Sequence, residues 1–372
     1  MGRHFRPVIV AVLATVLVMA VAGVAGVALV RRSDRPDRAG RPAPGAAPAA
    51  AAAPHGEPPA PPPVSSAQPR VVGTVRVGAG PQGIVFTPDG SRAYVADSDG
   101  KRLSIIDTAR RRVVGTVPLR DDPQYLAMRP DGRRLYAATH DYRTHRGNAI
   151  AVVDPATNKV VGRITAGLDP ARSSPYALAV SPDGRRLYVP DHDVEKVLVY
   201  DTATNALLSA VPVAPTPHWI AFAPQRSLTL IADHDSGTVI LLRSTDNAHV
   251  ADVRVGRSPH SVAVTPDGRR AFTANFDVST SSVIDLATRR TIGTVPVGRN
   301  PRCVTIAPDG RHAYFAAEGG NVLTVVDTRT LRVTATVKAG RGPWVLAVSP
   351  DGRTGYLSNR AANTVTLLAL TG

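Results

Sequence analysis

The chain has 372 residues, 43% of them hydrophobic, which is enough for one large domain with appended segments. Its single cysteine, Cys303, excludes an intramolecular disulfide and any metal site built from paired cysteines, and the lack of a Cys-x-x-Cys-His sequence excludes covalent c-type haem. The net charge of +15 suits anionic partners such as lipid head groups or wall polymers. Solubilising, arginine-rich turns explain that charge more simply, and we expect no nucleic-acid partner.

The N-terminal segment is long and apolar. Residues 8–30 form a run of 23 without a charge, longer than the roughly 20 residues that span a bilayer and than the usual signal-peptide core of about 7–15 residues. We therefore expect residues 1–32 to be a signal-anchor that holds the protein in the cell membrane by a single pass, with the remainder extracytoplasmic. The alternative is a signal cleaved near Ala25 or Ala28, which would give a secreted protein.

A linker is expected next. Residues 33–69 consist largely of Ala and Pro, a composition that cannot bury a core and favours an extended, polyproline-like spacer. At about 3.1 Å per residue, such a spacer would hold a following domain well away from the membrane.

The rest of the chain, residues 70–372, is repetitive. A Pro-Asp-Gly turn recurs at intervals of 42 residues, with one interval of 52, and a degenerate copy lacks the Asp and Gly. The prolines are Pro88, Pro130, Pro182, Pro224 (degenerate), Pro266, Pro308 and Pro350. Each unit reads as four short strands rich in Val, Ile, Thr and aromatic residues. Seven such units predict an all-β, seven-bladed β-propeller of four-stranded blades.

The units resemble the YVTN-repeat β-propellers. Residues 94–97 (Tyr-Val-Ala-Asp) and 272–275 (Phe-Thr-Ala-Asn) match the motif that names the family, and residues 321–327 match its Val-x-Val-Ile-Asp element. The resemblance covers all seven units and implies the propeller fold. It implies little about function, because such propellers serve as surface proteins, binding modules and cofactor-bearing enzyme domains.

The ends of the repeat region predict ring closure. The chain finishes in a third strand, residues 364–370, whereas residues 70–77 match the fourth-strand motif of residues 291–297. We therefore expect the N-terminal strand to complete the seventh blade. One aromatic position recurs in six blades, which indicates packing: Tyr94, Tyr136, Tyr188, Phe272, Tyr314 and Tyr356.

Departures from the repeat gather on one face, which we call the top face. It carries the loops between second and third strands and the connections between blades. The ten extra residues of the 52-residue interval fall in two top-face loops of blade two, residues 140–146 and 168–174. Loops that lengthen on a rigid scaffold commonly carry function.

Histidines also converge on the top face. His140, His192 and His234 occupy one equivalent position, and His218 and His260 each follow the proline that opens an innermost strand. With their flanking Asp residues they suit a divalent metal or acid–base chemistry, although turn-capping Asp and rim-filling His side chains explain them more simply than a metal does. A small-molecule or peptide pocket lined by these histidines explains them as well as packing does. No cofactor is predicted, but a divalent metal remains possible.

The residue after each strand-opening proline varies from blade to blade: Gln82, Gln124, Tyr176, His218, His260, Arg302 and Trp344. Arg257, Arg299 and Arg341 add positive charge near blades five to seven. Together these residues favour a ligand with an anionic group. The candidate ligand-binding residues are His140, His192, His234, His218, His260, Tyr176, Arg302 and Trp344.

Three functions remain open. The preferred one is a non-enzymatic platform that binds a small molecule, a peptide or an envelope protein through its top face. The second is an enzyme of the propeller lactonase or lyase kind, although no Gly-x-Ser-x-Gly or other dedicated catalytic motif occurs. The third is a redox propeller associated with non-covalent haem or quinone.

Overall fold

The computed structural model describes residues 61–372, except residues 142–145, 166 and 170–171. The signal-anchor expected at residues 1–32 and most of the linker expected at residues 33–69 lie outside the described residues. Within the described part of the chain, no helix is long and apolar enough to cross a membrane.

The described chain forms seven four-stranded antiparallel sheets, which confirms the predicted all-β, seven-bladed propeller. Blades one to three comprise β2 Pro81–Phe86, β3 Arg92–Asp97, β4 Arg102–Asp107 and β5 Arg112–Pro118; β6 Pro123–Met128, β7 Leu135–Asp141, β8 Arg146–Asp154 and β9 Lys159–Ile164; and β10 Ala179–Val180, β11 Arg186–Asp191, β12 Lys196–Asp201 and β13 Leu207–Pro212.

Blades four to six repeat the pattern. They comprise β14 Pro217–Ala223, β15 Leu228–Asp233, β16 Thr238–Arg243 and β17 His249–Arg254; β18 Pro259–Val264, β19 Arg270–Asn275, β20 Thr280–Asp285 and β21 Arg290–Pro296; and β22 Pro301–Ile306, β23 His312–Ala317, β24 Val322–Asp327 and β25 Val333–Lys338. Blade seven combines strands from both ends of the described chain: β26 Pro343–Val348, β27 Thr354–Asn359, β28 Thr364–Thr371 and β1 Ser65–Arg76.

Strand β1 closes the ring. It pairs antiparallel with β28 as the outermost strand of blade seven, with Thr74 opposite Thr366. It begins at Ser65, five residues before the expected start at residue 70. The Ser65 hydroxyl lies 2.8 Å from Oδ1 of Asp309 and 2.7 Å from Nδ1 of His312. These contacts tie the closing strand to blade six as well as to blade seven.

The Pro-Asp-Gly turn adopts one geometry in six blades. In blade three, Oδ1 of Asp183 accepts hydrogen bonds from the Ser181 hydroxyl at 2.5 Å and the Arg185 amide at 3.1 Å. Gly184 has φ +73°, in the left-handed region that glycine adopts without strain. The degenerate copy in blade four differs: residues Pro224–Arg226 form a short 3-10 helix.

The recurring aromatic position is a packing position, as the sequence predicts. All six side chains are essentially inaccessible to solvent. Some also tie adjacent blades together, since the Tyr94 hydroxyl donates to Oδ1 of Asn158 at 2.6 Å and the Tyr188 hydroxyl to Oδ1 of Asn247 at 3.0 Å. The blades therefore form a rigid frame around the central channel.

Candidate functional site

Backbone irregularity recurs where each innermost strand begins. In six blades the pairing register shifts directly after the opening proline, as between Pro217 and Trp219 or between Pro301 and Cys303. In blade three a single bridge, Pro175 to Asp191, stands apart from β10. Such irregularities re-aim side chains, and here they allow consecutive residues to face the central channel.

Two rings of side chains surround the channel mouth. The inner ring is the residue after each opening proline, already identified from the sequence. The outer ring is the residue after the second strand in six blades, and in blade two it is the equivalent residue, His140, which lies within the longer strand β7. Its members are Ser98, His140, His192, His234, Phe276, Glu318 and Arg360. In every blade the outer-ring amide donates to the carbonyl of the residue before the opening proline, for example Glu318 to Asn300 at 3.0 Å. This repeated bond brings the two rings together.

Between the rings lies a cavity of about 330 Å³, which we call the mouth cavity. It is lined by Gln82, Ser174, Tyr176, His192, His218, Arg302, Trp344 and Arg360. Ser174 belongs to the second extended loop of blade two. The first of these loops lies largely outside the described residues.

Arg302 is held from four directions. Its guanidinium carbon lies 4.3 Å from the ring centroid of Phe276 and 4.1 Å from that of Trp344. Its Nε donates to Oε2 of Glu318 at 2.6 Å, and its Nη1 donates to Nδ1 of His260 at 3.3 Å. The contacts orient the planar fork and use two of its five donors.

A second guanidinium completes the cationic side of the cavity. Arg360 lies 5.5 Å from the Trp344 centroid and pairs with Oδ1 of Asp99 at 3.3 Å. Arg257 and Arg341 are exposed, and Arg299 binds the Gly319 carbonyl. None of these three lines the mouth cavity, so its positive charge comes from Arg302 and Arg360.

His260 and His234 belong to a hydrogen-bonded chain. The donors and acceptors along it determine which ring nitrogen of each histidine carries the proton. Because arginine can only donate, Nδ1 of His260 accepts from Arg302, and neutral His260 carries its proton on Nε2. That nitrogen lies 3.0 Å from Nε2 of His234, whose single lone pair it shares with the Ser258 hydroxyl at 2.7 Å. His234 then donates from Nδ1 to Asp235 at 2.9 Å. A polarised chain thus runs from the cavity to a surface carboxylate.

Burial keeps the two inner-ring histidines neutral. It lowers the pKa of His218 well below the usual value, and neighbouring His192 adds to the effect. Burial also lowers the pKa of His260, with further contributions from His218 and the Arg302 charge. Nδ1 of His218 donates to the carbonyl of His260 at 2.7 Å, so its Nε2 carries the lone pair.

His192 has the arrangement of an oriented base. It lines the mouth cavity, and its Nδ1 lies 2.7 Å from Oδ1 of Asp193. Its ring centroid lies 5.9 Å from that of His218. A carboxylate on one ring nitrogen leaves the other available to accept a proton.

The structure brings together most of the candidate residues chosen from the sequence. Tyr176, His192, His218, Arg302 and Trp344 line the mouth cavity. His234 and His260 form the chain beside it. His140 is separate, because its side chain is only 1% exposed and its Nδ1 bonds to Oδ1 of Asn148 at 2.7 Å. It lies within β7 and is bonded to a residue of the neighbouring strand β8.

Three outer-ring residues were not among the candidates predicted from the sequence: Phe276, Glu318 and Arg360. They occupy the same repeat position as His140, His192 and His234, but only the histidines drew attention. Comparing that position in all seven blades finds them. Two of them, Phe276 and Glu318, contact the Arg302 side chain and hold it in place.

No metal site is apparent in the described residues, since no group of three or more His, Cys, Asp or Glu side chains there is arranged to hold a metal ion. Of the four clustered imidazoles, those of His234 and His260 bond to each other, and those of His192 and His218 bond to nearby oxygens. The guanidinium of Arg302 beside them also opposes the binding of a cation.

Comparison with known proteins supports the architecture. A solved structure titled Kuenenia stuttgartiensis hydrazine synthase is similar with a TM-score of 0.68 and 21% sequence identity, covering 78% of this chain and 95% of that one. At that identity the likeness shows the fold alone. No curated protein matches the chain. The model of the family described as "Lactonase, 7-bladed beta-propeller" matches residues 101–372. The chain therefore belongs to the seven-bladed β-propeller lactonase family.

Proposed function

We propose that the mouth cavity binds a small organic carboxylate. The observation that carries the proposal is the placement of Arg302, which Glu318, Phe276 and Trp344 hold at the cavity wall with donors remaining on the guanidinium. A fork preorganised in this way loses little side-chain entropy when it accepts a carboxylate. Neutral His218 adds a polar contact without adding charge.

Titration calorimetry with butanoate tests this proposal in the full-length protein. Arg302→Gln should raise the dissociation constant by about tenfold or more, since a hydrogen bond to a charged group contributes roughly 1.5–3 kcal/mol. The matched control is Arg257→Gln, which removes an exposed arginine of the top face outside the cavity and should leave affinity unchanged. Equal affinity in Arg302→Gln and the native protein would contradict the proposal.

A second candidate function, lactone hydrolysis, is favoured by family membership and by the His192–Asp193 pair. In this reaction His192 accepts a proton from water as the oxygen attacks the lactone carbonyl. The bond between carbonyl carbon and ring oxygen then breaks, and the ring oxygen takes up that proton as a hydroxyl. The carboxylic acid formed at the former carbonyl releases the remaining proton of the water to solvent. The product is then a hydroxycarboxylate of the class that Arg302 is proposed to hold.

Acid release from γ-butyrolactone in a pH-stat tests the second candidate. Native protein should release acid above the uncatalysed rate, and His192→Gln should abolish the excess. The native protein could instead show no turnover of γ-butyrolactone and still bind butanoate through Arg302. That result would contradict lactone hydrolysis and leave carboxylate binding as the proposed function.

We also propose that residues 8–30 hold the protein at the cell membrane, on the basis of their length and apolarity. Fractionation of cells tests this part separately. The full chain should sediment with membranes, and deletion of residues 8–30 should release it. Recovery of the full chain in the soluble fraction would contradict membrane attachment.

A further inference from the structure

A second cavity of about 220 Å³ lies directly below the mouth cavity, and we call it the lower chamber. Its lining residues immediately follow inner-ring residues in the chain: Trp219 follows His218, Cys303 follows Arg302, and Val345 follows Trp344. The recurring register shift explains this stacking, because it turns neighbouring residues toward the same channel.

The lower chamber is apolar, in contrast to the mouth cavity. Much of its wall consists of Ile84, Leu126, Leu178, Ile220 and Leu346. Burial there raises the pKa of the Cys303 thiol to about 11. Cavities with such walls remain dry and accept apolar groups.

An aromatic contact separates the two spaces. Trp344 lines the mouth cavity and Tyr125 lines the lower chamber, and the indole Nε1 donates to the Tyr125 hydroxyl at 3.0 Å. The Tyr125 ring also contacts Tyr176 at 4.9 Å and Trp219 at 5.0 Å between centroids. Side-chain contacts therefore stand between the two spaces.

We infer that the ligand is amphipathic: a carboxylate with an unbranched alkyl chain, whose head lies at Arg302 and whose tail passes Tyr125 and Trp344 into the lower chamber. This inference rests on the proposed carboxylate binding. The mouth cavity is polar and cationic, which suits the carboxylate. The lower chamber is apolar, which suits the alkyl chain.

Calorimetry with butanoate, hexanoate and octanoate on the full-length protein tests the inference. Each methylene that enters the chamber should tighten binding by about fourfold, the equivalent of about 0.8 kcal/mol. Ala177→Leu narrows the chamber and should remove this gain while leaving butanoate affinity unchanged. The matched control is Ala287→Leu at an exposed turn of blade five, which should bind like the native protein.

A second measurement needs no change to the chamber wall. In Trp344→Phe, the remaining Trp219 lines the lower chamber. Bromine at the end of the chain, in 8-bromooctanoate, should quench its fluorescence more strongly than bromine beside the carboxylate, in 2-bromooctanoate. Equal quenching would overturn the inference.

The failures of the two proposals are distinguishable. Arg302-dependent affinity that does not change with chain length overturns the lower-chamber inference and leaves carboxylate binding intact. Affinity that rises with chain length but is unaffected by Arg302→Gln overturns the proposed function, and the inference with it.

Discussion

At the scale of single residues, the buried acids at the ends of second strands show how environment sets charge. Asp97 is fully buried at the position that Asn275 and Asn359 occupy in blades five and seven. Burial raises its pKa to about 6, against the lowering effects of the Ser104 hydroxyl and Arg102. The neutral carboxyl therefore suits this position better than the carboxylate, consistent with asparagine in the other blades.

We expect Asp97→Asn to stabilise the protein above neutral pH. Because the folded pKa is raised, the stability contributed by Asp97 is complete below pH 3.8 and declines as pH rises to about 6. The gain at pH 7.5 should approach about 3 kcal/mol at most and disappear near pH 4. Urea unfolding at the two pH values measures it.

Asp107→Asn is the matched comparison. Hydrogen bonds from the Arg110 amide and side chain lower the pKa of Asp107, the opposite direction. That substitution should give no gain at pH 7.5. A gain of equal size at both sites would show that loss of negative charge, rather than burial, is responsible.

The tautomers of the histidine chain are a second prediction at this scale. In ¹⁵N-histidine-labelled protein, long-range ¹H–¹⁵N spectra should show His260 protonated on Nε2 alone at pH 7. His260 should remain neutral down to pH 5, because burial and the Arg302 charge lower its pKa. Arg302→Gln should relax the His260 tautomer preference. Titration of native His260 with a midpoint near pH 6.5 would be inconsistent with the chain.

At the scale of elements, strand β1 joins the ends of the fold. It covers β28, and Val75 is 5% exposed in a cluster with Val365 and Leu367. Without β1, an eight-residue strand at the end of the chain would be left as an unpaired edge.

Deletion of residues 1–76 should therefore lower the melting temperature by at least about 5 °C, since 1 kcal/mol corresponds to roughly 2–4 °C in a large domain. Deletion of residues 1–60 is the control and should have no such effect. Calorimetric scans compare both with the full chain. Identical melting of the two deletions would contradict closure by β1.

Much of this architecture follows from the sequence because the 42-residue repeat fixes strand order and register. It predicts the seven blades, the packing role of Tyr94 and its equivalents, and the inner ring that contains His218 and Arg302. The register shifts do not show in the sequence, since a bulge depends on backbone pairing rather than residue type. The burial of His140 also escaped prediction, because its hydrogen bond to Asn148 depends on the longer pairing of β7 with β8 in blade two.

At the scale of the whole molecule, the start of the described chain and the mouth cavity lie on opposite faces of the propeller. The mouth cavity belongs to the top face, whereas Ser65 contacts Asp309 in a Pro-Asp-Gly turn of the opposite face. Residues 61–372 should therefore bind butanoate with the same dissociation constant as the full chain. A change of tenfold or more by calorimetry would show that the N-terminal segment takes part in the site.

The most direct test of carboxylate binding is the fluorescence of Trp344, whose ring lies 4.1 Å from the Arg302 guanidinium carbon. In a Trp219→Phe background Trp344 is the sole tryptophan, so its emission reports the mouth cavity alone. We predict a saturable change on titration with butanoate, with the dissociation constant found by calorimetry, and its loss in Arg302→Gln. No change, or an equal change in Arg302→Gln, would contradict the assignment of this cavity as the binding site.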